Sequence, residues 1–260
     1  MDNDRTPAGA QAVQRAMNVL ASFQDGGPTL SASDLSRRTG LSTSTAHRLA
    51  RALVSGGFLE QDARTARYRL GPSMTELGRL SFHQRGLHRV APELGQLARV
   101  TSATVDLAIR NGRHAVILIG GSVDPESGTG LRRPLHSTAL GKVLLAWAPP
   151  GEEDPAALAP LRPQTERTIV DLDDLRAETE RVRRTGYALN DGESFHGVRT
   201  LAVPVLDRAE RVRYALAVRS TPAVITDARI GWFAMHARAC ARALEVLLLS
   251  PEERGLAAFG

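Results

Sequence analysis

Apolar positions in the first quarter of the chain recur at helical spacing and then give way to two short alternating runs. Val13, Ala16, Met17, Leu20 and Phe23 fall three or four residues apart, which predicts a helix over 11–23. Asp25-Gly26-Gly27-Pro28 stops it, because glycine beside proline favours a turn. Ser31 or Ser33 caps a second helix that turns Leu35 inward and ends at Gly40. Ser42 is placed to cap a third helix, with Ala46, Leu49, Ala50 and Leu53 on its inner face and Gly56-Gly57 at its end. The stretches 58–61 and 66–70 then alternate apolar with polar around a turn at 62–65, as paired strands do. Three helices followed by a hairpin predict a winged helix-turn-helix over 9–72, with residues 1–9 outside any element. A helix over 73–86 follows Pro72 and links this part to the rest, giving a linker over 73–88.

The second part, 89–250, mixes periods. A helix is predicted over 92–101, and strands over 104–110 and 114–120 surround the turn signal Asn111-Gly112. A glycine- and proline-rich loop spans 121–134. Ser137 or Thr138 caps a helix reaching about 148. Residues 172–186 form an amphipathic helix with acids early and arginines late, as the helix dipole prefers. Strands over 198–206 and 211–220 precede a terminal helix capped by Thr226 and running to about 249. The order predicts an α+β fold with an antiparallel sheet and helices packed on it.

Composition changes this picture only locally. The 260 residues are 42% hydrophobic and 23% charged, ordinary globular values, with a formal charge of +5. Lys142 is the only lysine, so 32 of the 33 basic residues are arginine, and that bias makes overall basicity a weak argument for nucleic acid. Distribution is stronger. From Leu35 to Leu59 there is no Asp or Glu, while Arg37, Arg38, Arg48 and Arg51 are present. A stretch cleared of acid suits a polyanion. Cys240 is the only cysteine, which excludes disulfides within the chain and thiolate zinc fingers. The polar N-terminus carries no signal-peptide pattern, and the apolar runs at 143–148 and 246–249 are too short to span a bilayer, so a cytoplasmic location is expected.

The chain resembles the IclR family of bacterial transcription regulators. In the N-terminal part the resemblance rests on VQRAMNVL, LSASDLSRRTGLSTSTAHRLARALVSGGFLE and YRLGP. In the C-terminal part it rests on PLHSTALGKVLLAW, TERTIVDLDDLRAETERVRRTGYALNDGE and GVRTLAVPV. The resemblance implies a winged-helix DNA-binding domain, a linker helix and a GAF-like effector-binding domain. It also implies dimers or tetramers on palindromic operators, commonly as repressors.

In this motif the front of the third helix reaches base edges. Ser42, Thr43, Ser44, Thr45, His47 and Arg48 occupy it, with hydroxyls for adaptable contacts and Arg48 for a bidentate guanine contact. Arg51, one turn on, suits a phosphate, as do Arg37 and Arg38; Arg64 and Arg67 of the wing suit backbone or minor groove. The resemblance places a small carboxylate-bearing effector at the front of the helix begun by HSTALGK, where the amides of Thr138, Ala139, Leu140 and Gly141 favour an anion. The completing side chains depart from the family pattern. Asn190 stands where Asp is common, Thr200 where Cys is common, and Ala217 and Arg219 where serines are common. The 121–134 loop also lacks the strand-like run usual before PLH. Alternation puts Arg219 and Ala217 on one face, and a guanidinium there needs an anion: an effector, Glu193 or Asp106.

Other chemistry is weak. Ser194 and His196 sit too close together for a triad, and Gly128-Thr129-Gly130 lacks the lysine and hydroxyl of a phosphate loop. His136 and His196 could share a metal with Glu193 or Asp191, though structural histidines are the simpler reading. No cofactor, metal or enzymatic activity is expected. The rival function is a sensor whose winged helix binds protein; the basic, hydroxylated third helix disfavours it, since a protein-binding face exposes more apolar side chains.

Overall fold

A computed structural model describes residues 8–122, 130–152 and 154–255, which divide into two compact units, the first holding 8–84 with Ser122 and Gly130 and the second the rest. Residues 1–7 and the Gly128-Thr129 pair lie outside the described residues.

The first unit carries α1 (Ala8–Ala21), α2 (Ala32–Thr39), α3 (Thr43–Ser55), the strands β1 (Leu59–Gln61) and β2 (Tyr68–Leu70), and α4 (Pro72–Gln84). Local chemistry sets its boundaries. Ser31 caps α2 through a capping box, its hydroxyl accepting from Asp34 N while the Asp34 carboxylate accepts from Ser31 N, each cap of this kind being worth about 1 kcal/mol. Gly40 ends α2 at φ 69°, a left-handed value open to glycine, which lets the chain turn into α3. Val19, Phe23, Leu30, Leu35, Ala46, Ala50, Leu59 and Tyr68 form the core, with Leu20, Leu49 and Leu53 packed against it. Of the stripe predicted for α1, only Leu20 and Phe23 reach the core. Val13 and Met17 are exposed, and Val19 takes the inner position instead, because no described residue buries the front of α1.

The second unit is built on one six-stranded antiparallel sheet ordered β5-β4-β3-β8-β7-β6. Its strands are β3 (Thr104–Asn111), β4 (His114–Ile119), β5 (Arg132–Pro134), β6 (Ala188–Asp191), β7 (Arg199–Leu206) and β8 (Val212–Ser220). Its helices are α5 (Ala91–Thr101), α6 (Ala139–Ala146), α7 (Leu172–Thr185) and α8 (Ile230–Leu248). One face presents small side chains, Ala108, Ala188, Ala202, Ala215 and Ala217, beneath α6 and α7. The other face, with Leu107, Leu201, Val203, Leu216 and Val218, packs on α5 and α8.

Four local expectations change. The β3–β4 turn is Gly112-Arg113, since Asn111 pairs with His114 and Gly112 takes φ 59°. A strand does precede the PLH segment: β5 pairs with β4, and only the sheet neighbour makes so short a run a strand. Residues 188–191, left without an element by pattern, form β6 on β7 for the same reason. Thr226 caps a single 3-10 turn over Asp227–Arg229, with no side-chain cap bond, so α8 starts at Ile230. Among the described residues no helix is long and apolar enough to cross a membrane.

Candidate nucleic-acid interface and effector site

Helix α3 begins at Ser42, whose hydroxyl accepts from Thr45 N at 3.3 Å and lies 2.9 Å from the Thr45 hydroxyl and 3.2 Å from that of Ser44. Thr43 reaches back to Ser36 at 3.4 Å. Ser42 and Thr43 therefore hold the helix front in place, while Ser44, His47, Arg48 and Arg51 stand exposed along it, with Thr45 half-buried. Among the described residues Arg48, Arg51 and the guanidinium of Arg64 have no hydrogen-bond or ion-pair partner.

The other arginines are engaged from outside the acid-free stretch. Arg37 pairs with Asp34 at 2.7 Å and Arg38 with Asp25 at 3.0 Å. Arg67 donates to Thr29 Oγ1 at 2.9 Å and Thr29 O at 2.8 Å, with Asp34 3.4 Å away, which straps the wing to the start of α2. The hydrogen bonds from Ser31, reinforced by Arg37, hold the Asp34 carboxyl down at about 2. At the wing tip Asp62 accepts from Arg64 N and Thr65 N, which lowers its pKa and shapes the turn that presents Arg64.

In the second unit, Thr138 caps α6 by accepting from Gly141 N at 3.1 Å. A Cβ on Gly141 would meet Leu135 O at 2.2 Å, so only glycine lets α6 seat against the end of β5. All of α6 is buried, and with it Ala139, Leu140 and Gly141. The sheet register aligns Asn190 with Thr200, Thr200 with Arg219, and Arg219 with Thr104 in one row across four strands. Ala217 is wholly buried on the same face. Asn190 joins this row to α6: its amide donates to Ser137 O at 3.0 Å and to Ser194 Oγ at 2.7 Å, and its oxygen accepts from Glu193 N at 2.9 Å.

Arg219 finds its anion inside the protein. Its Nε donates to Asp106 Oδ2 at 3.1 Å, and Asp106 Oδ1 accepts from Gly121 N at 2.6 Å. The Arg219 side chain keeps about a third of its surface exposed, at 34%, and borders an open cleft of about 450 Å³ with Thr104, Ser102, Val198, Ser220 and Thr221. Glu193 belongs elsewhere. Lys142 is 1% exposed and its Nζ donates to Glu193 at 2.5 Å, Glu178 at 3.1 Å and Leu189 O at 3.2 Å, using all three donors. Arg181 completes the group with two bonds to Glu178. Burial pushes the Glu193 carboxyl up against the pull of Lys142. Burial acts on Glu178 too, but Arg181 and Lys142 together outweigh it and its pKa falls. The pattern alone missed this cluster; its signal was a lone lysine in an arginine-rich chain.

The histidines are apart. His136 bonds Arg162 O at 3.0 Å, and exposed His196 faces Glu166 at 3.4 Å. Among the described residues no three His, Cys, Asp or Glu converge as metal ligands.

A family model described as the IclR helix-turn-helix domain matches residues 12–63, and one described as the bacterial transcriptional regulator IclR C-terminal matches 83–246. The HTH-type transcriptional regulator XynR of Escherichia coli is 34% identical over 86% of this chain and 91% of its own length. The HTH-type transcriptional repressor AllR of Salmonella typhi is 32% identical over 85% of this chain and 84% of its own. Among solved structures, an IclR transcriptional regulator from Silicibacter superposes with a TM-score of 0.81 at 30% identity, covering 91% of this chain and 96% of that one. An IclR homolog from Microbacterium hydrocarbonoxydans, complexed with 4-hydroxybenzoate, has a TM-score of 0.74 at 26% identity over 91% and 98%.

Proposed function

The chain belongs to the IclR family of DNA-binding transcriptional regulators, and we propose that it represses by gripping a palindromic operator through the front of α3, under the control of a small anionic effector. The observation that carries the grip is the contrast among its arginines. Arg48 and Arg51 stand exposed and unpaired on α3, while Arg37, Arg38 and Arg67 are held by the protein itself. Arg48, with Ser44 and His47, reads base edges. Arg51 and Arg64 neutralise phosphates, with Arg37, Arg38 and Arg67 at the margin and Ser42, Thr43 and Thr45 shaping the helix front. The head over 9–72, the linker over 73–88 and the sensor over 89–250 are part of this reading, as is action in the cytoplasm. Mobility-shift titration tests it. Arg48→Ala abolishes specific binding in a folded protein, and Arg51→Ala lowers the salt slope by about one unit. Unchanged affinity of Arg48→Ala overturns the assignment.

The effector reading assigns the front of α6 over residues 138–141, where the Gly141 amide is already taken by Thr138 Oγ1 and the amides of Thr138, Ala139 and Leu140 are left to an anion, together with the row Asn190, Thr200, Arg219, with Ala217 making room. Support comes from the neighbour bound to 4-hydroxybenzoate, and for Arg219 alone from the open cleft that it lines with Ala98, Ser102 and Thr104. A carboxylate entering there competes with Asp106 for Arg219, so Arg219→Ala lowers affinity for an acid that binds the wild type in calorimetry; equal affinity removes Arg219 from the site. Family members are regulators, and no catalytic step is assigned to this chain.

Assembly into a homodimer or homotetramer is also part of the proposal. Helix α4 buries none of its residues, and Leu77 and Leu80 are each 50% exposed. Val13 at 58% and Met17 at 55% add apolar surface on α1. A second copy is the occupant that a two-fold operator requires.

A further inference from the structure

Tyr68 is the largest fully buried side chain among the described residues, and its hydroxyl has no hydrogen-bond partner among them. Buried hydroxyls are normally paired, and an unpaired one is destabilising. Phenylalanine fills the same space without that cost. Both backbone groups of the residue are tied to Leu30: Tyr68 N donates to Leu30 O at 2.8 Å and Leu30 N donates to Tyr68 O at 2.9 Å.

The Tyr68 ring lies beside the DNA-reading helix. Its ring stands edge-on to the His47 imidazole, with centroids 6.5 Å apart and planes at 64°. Arg51, one turn further along α3, is near enough for its charge to oppose the upward push that burial gives the Tyr68 pKa. His47 is exposed and has no hydrogen bond or ion pair among the described residues. At that separation a phenolic oxygen and an imidazole nitrogen turned toward each other come within hydrogen-bonding distance. A neutral imidazole has one accepting and one donating nitrogen, so a donor on the first fixes which N–H the second presents.

We propose that Tyr68 is a positioning residue for DNA recognition: in the complex its hydroxyl donates to one nitrogen of His47, and the other N–H is thereby aimed at a phosphate or base-edge acceptor. Within the described residues the hydroxyl has no partner and His47 is exposed. DNA displaces the water around His47, and the two groups then satisfy each other. The proposal rests on the reading that the front of α3 contacts DNA.

The probe is a duplex selected from a randomised pool by the wild-type full chain. Tyr68→Phe is expected to unfold no earlier than wild type on heating and to bind this duplex about 10-fold more weakly, the effect of one hydrogen bond. In a His47→Ala background the same change costs nothing further. Nitrogen resonances of His47 in the complex report one tautomer in wild type and a mixture in Tyr68→Phe. Equal binding by Tyr68→Phe, an equal loss in the His47→Ala background, or a lowered melting temperature each overturns the proposal. Arg48→Ala on the same duplex separates the two readings. If it binds as wild type, the α3 assignment has failed; if it does not bind while Tyr68→Phe does, only the role of Tyr68 has.

Discussion

Arg37 and Arg48 lie eleven positions apart in the same acid-free stretch, yet one is committed to Asp34 and the other is free. Sequence makes the two look alike because an acid count that starts at Leu35 leaves out Asp34, one residue before it in α2, and Asp25 further upstream. Asp34 is the residue on which this arrangement turns. It closes the capping box of α2, receives Arg37 and lies within reach of Arg67. Its folded pKa of about 2 lies below the ordinary 3.8, so its contribution to stability is whole above pH 3.8 and is lost as the pH falls toward 2. Asp34→Asn should therefore lower the melting temperature at neutral pH and remove this part of the acid loss. Circular dichroism melts of both proteins at neutral pH and across that acid window check it; parallel acid losses would count against the role.

Elements bounded by their own residues were legible in the chain, and elements bounded by neighbours were not. Ser42 caps α3 as its position predicts, and Ser31 and Thr138 cap α2 and α6 where the sequence offered Ser31 or Ser33 and Ser137 or Thr138, because a cap is a contact within a few residues. Strands β5 and β6 are three and four residues long, and only pairing with β4 and β7 defines them. The candidate effector residues follow the same division. The capped front of α6 reads from HSTALGK, but the row Asn190–Thr200–Arg219 depends on register between strands distant in sequence. Helix α6 also holds the buried Lys142, whose partners come from α7 and the turn after β6. Lys142→Ala leaves Glu193 and Glu178 buried without their shared cation, and loss of one partner of such a group costs about 3–5 kcal/mol. Denaturant unfolding of the full chain should show that loss in the transition of the second unit, with the first unit's transition unchanged.

At the scale of the whole molecule, the exposed apolar positions on α1 and α4 predict self-association. Sedimentation of wild type should give a dimer or larger, and Leu77→Glu with Leu80→Glu should shift it toward monomer. Operator footprints should accordingly show two half-sites an integral number of helical turns apart. The chain also has an unusual chemical property. Its one lysine is 1% exposed, so the folded chain displays no accessible side-chain amine. Amine-directed reagents therefore meet only the α-amino group while the second unit is closed. A second label per chain, appearing with denaturant or with a ligand, marks the moment α6 lifts from the sheet. Arginine bias and one interior ammonium together give this regulator a built-in counter of its own opening.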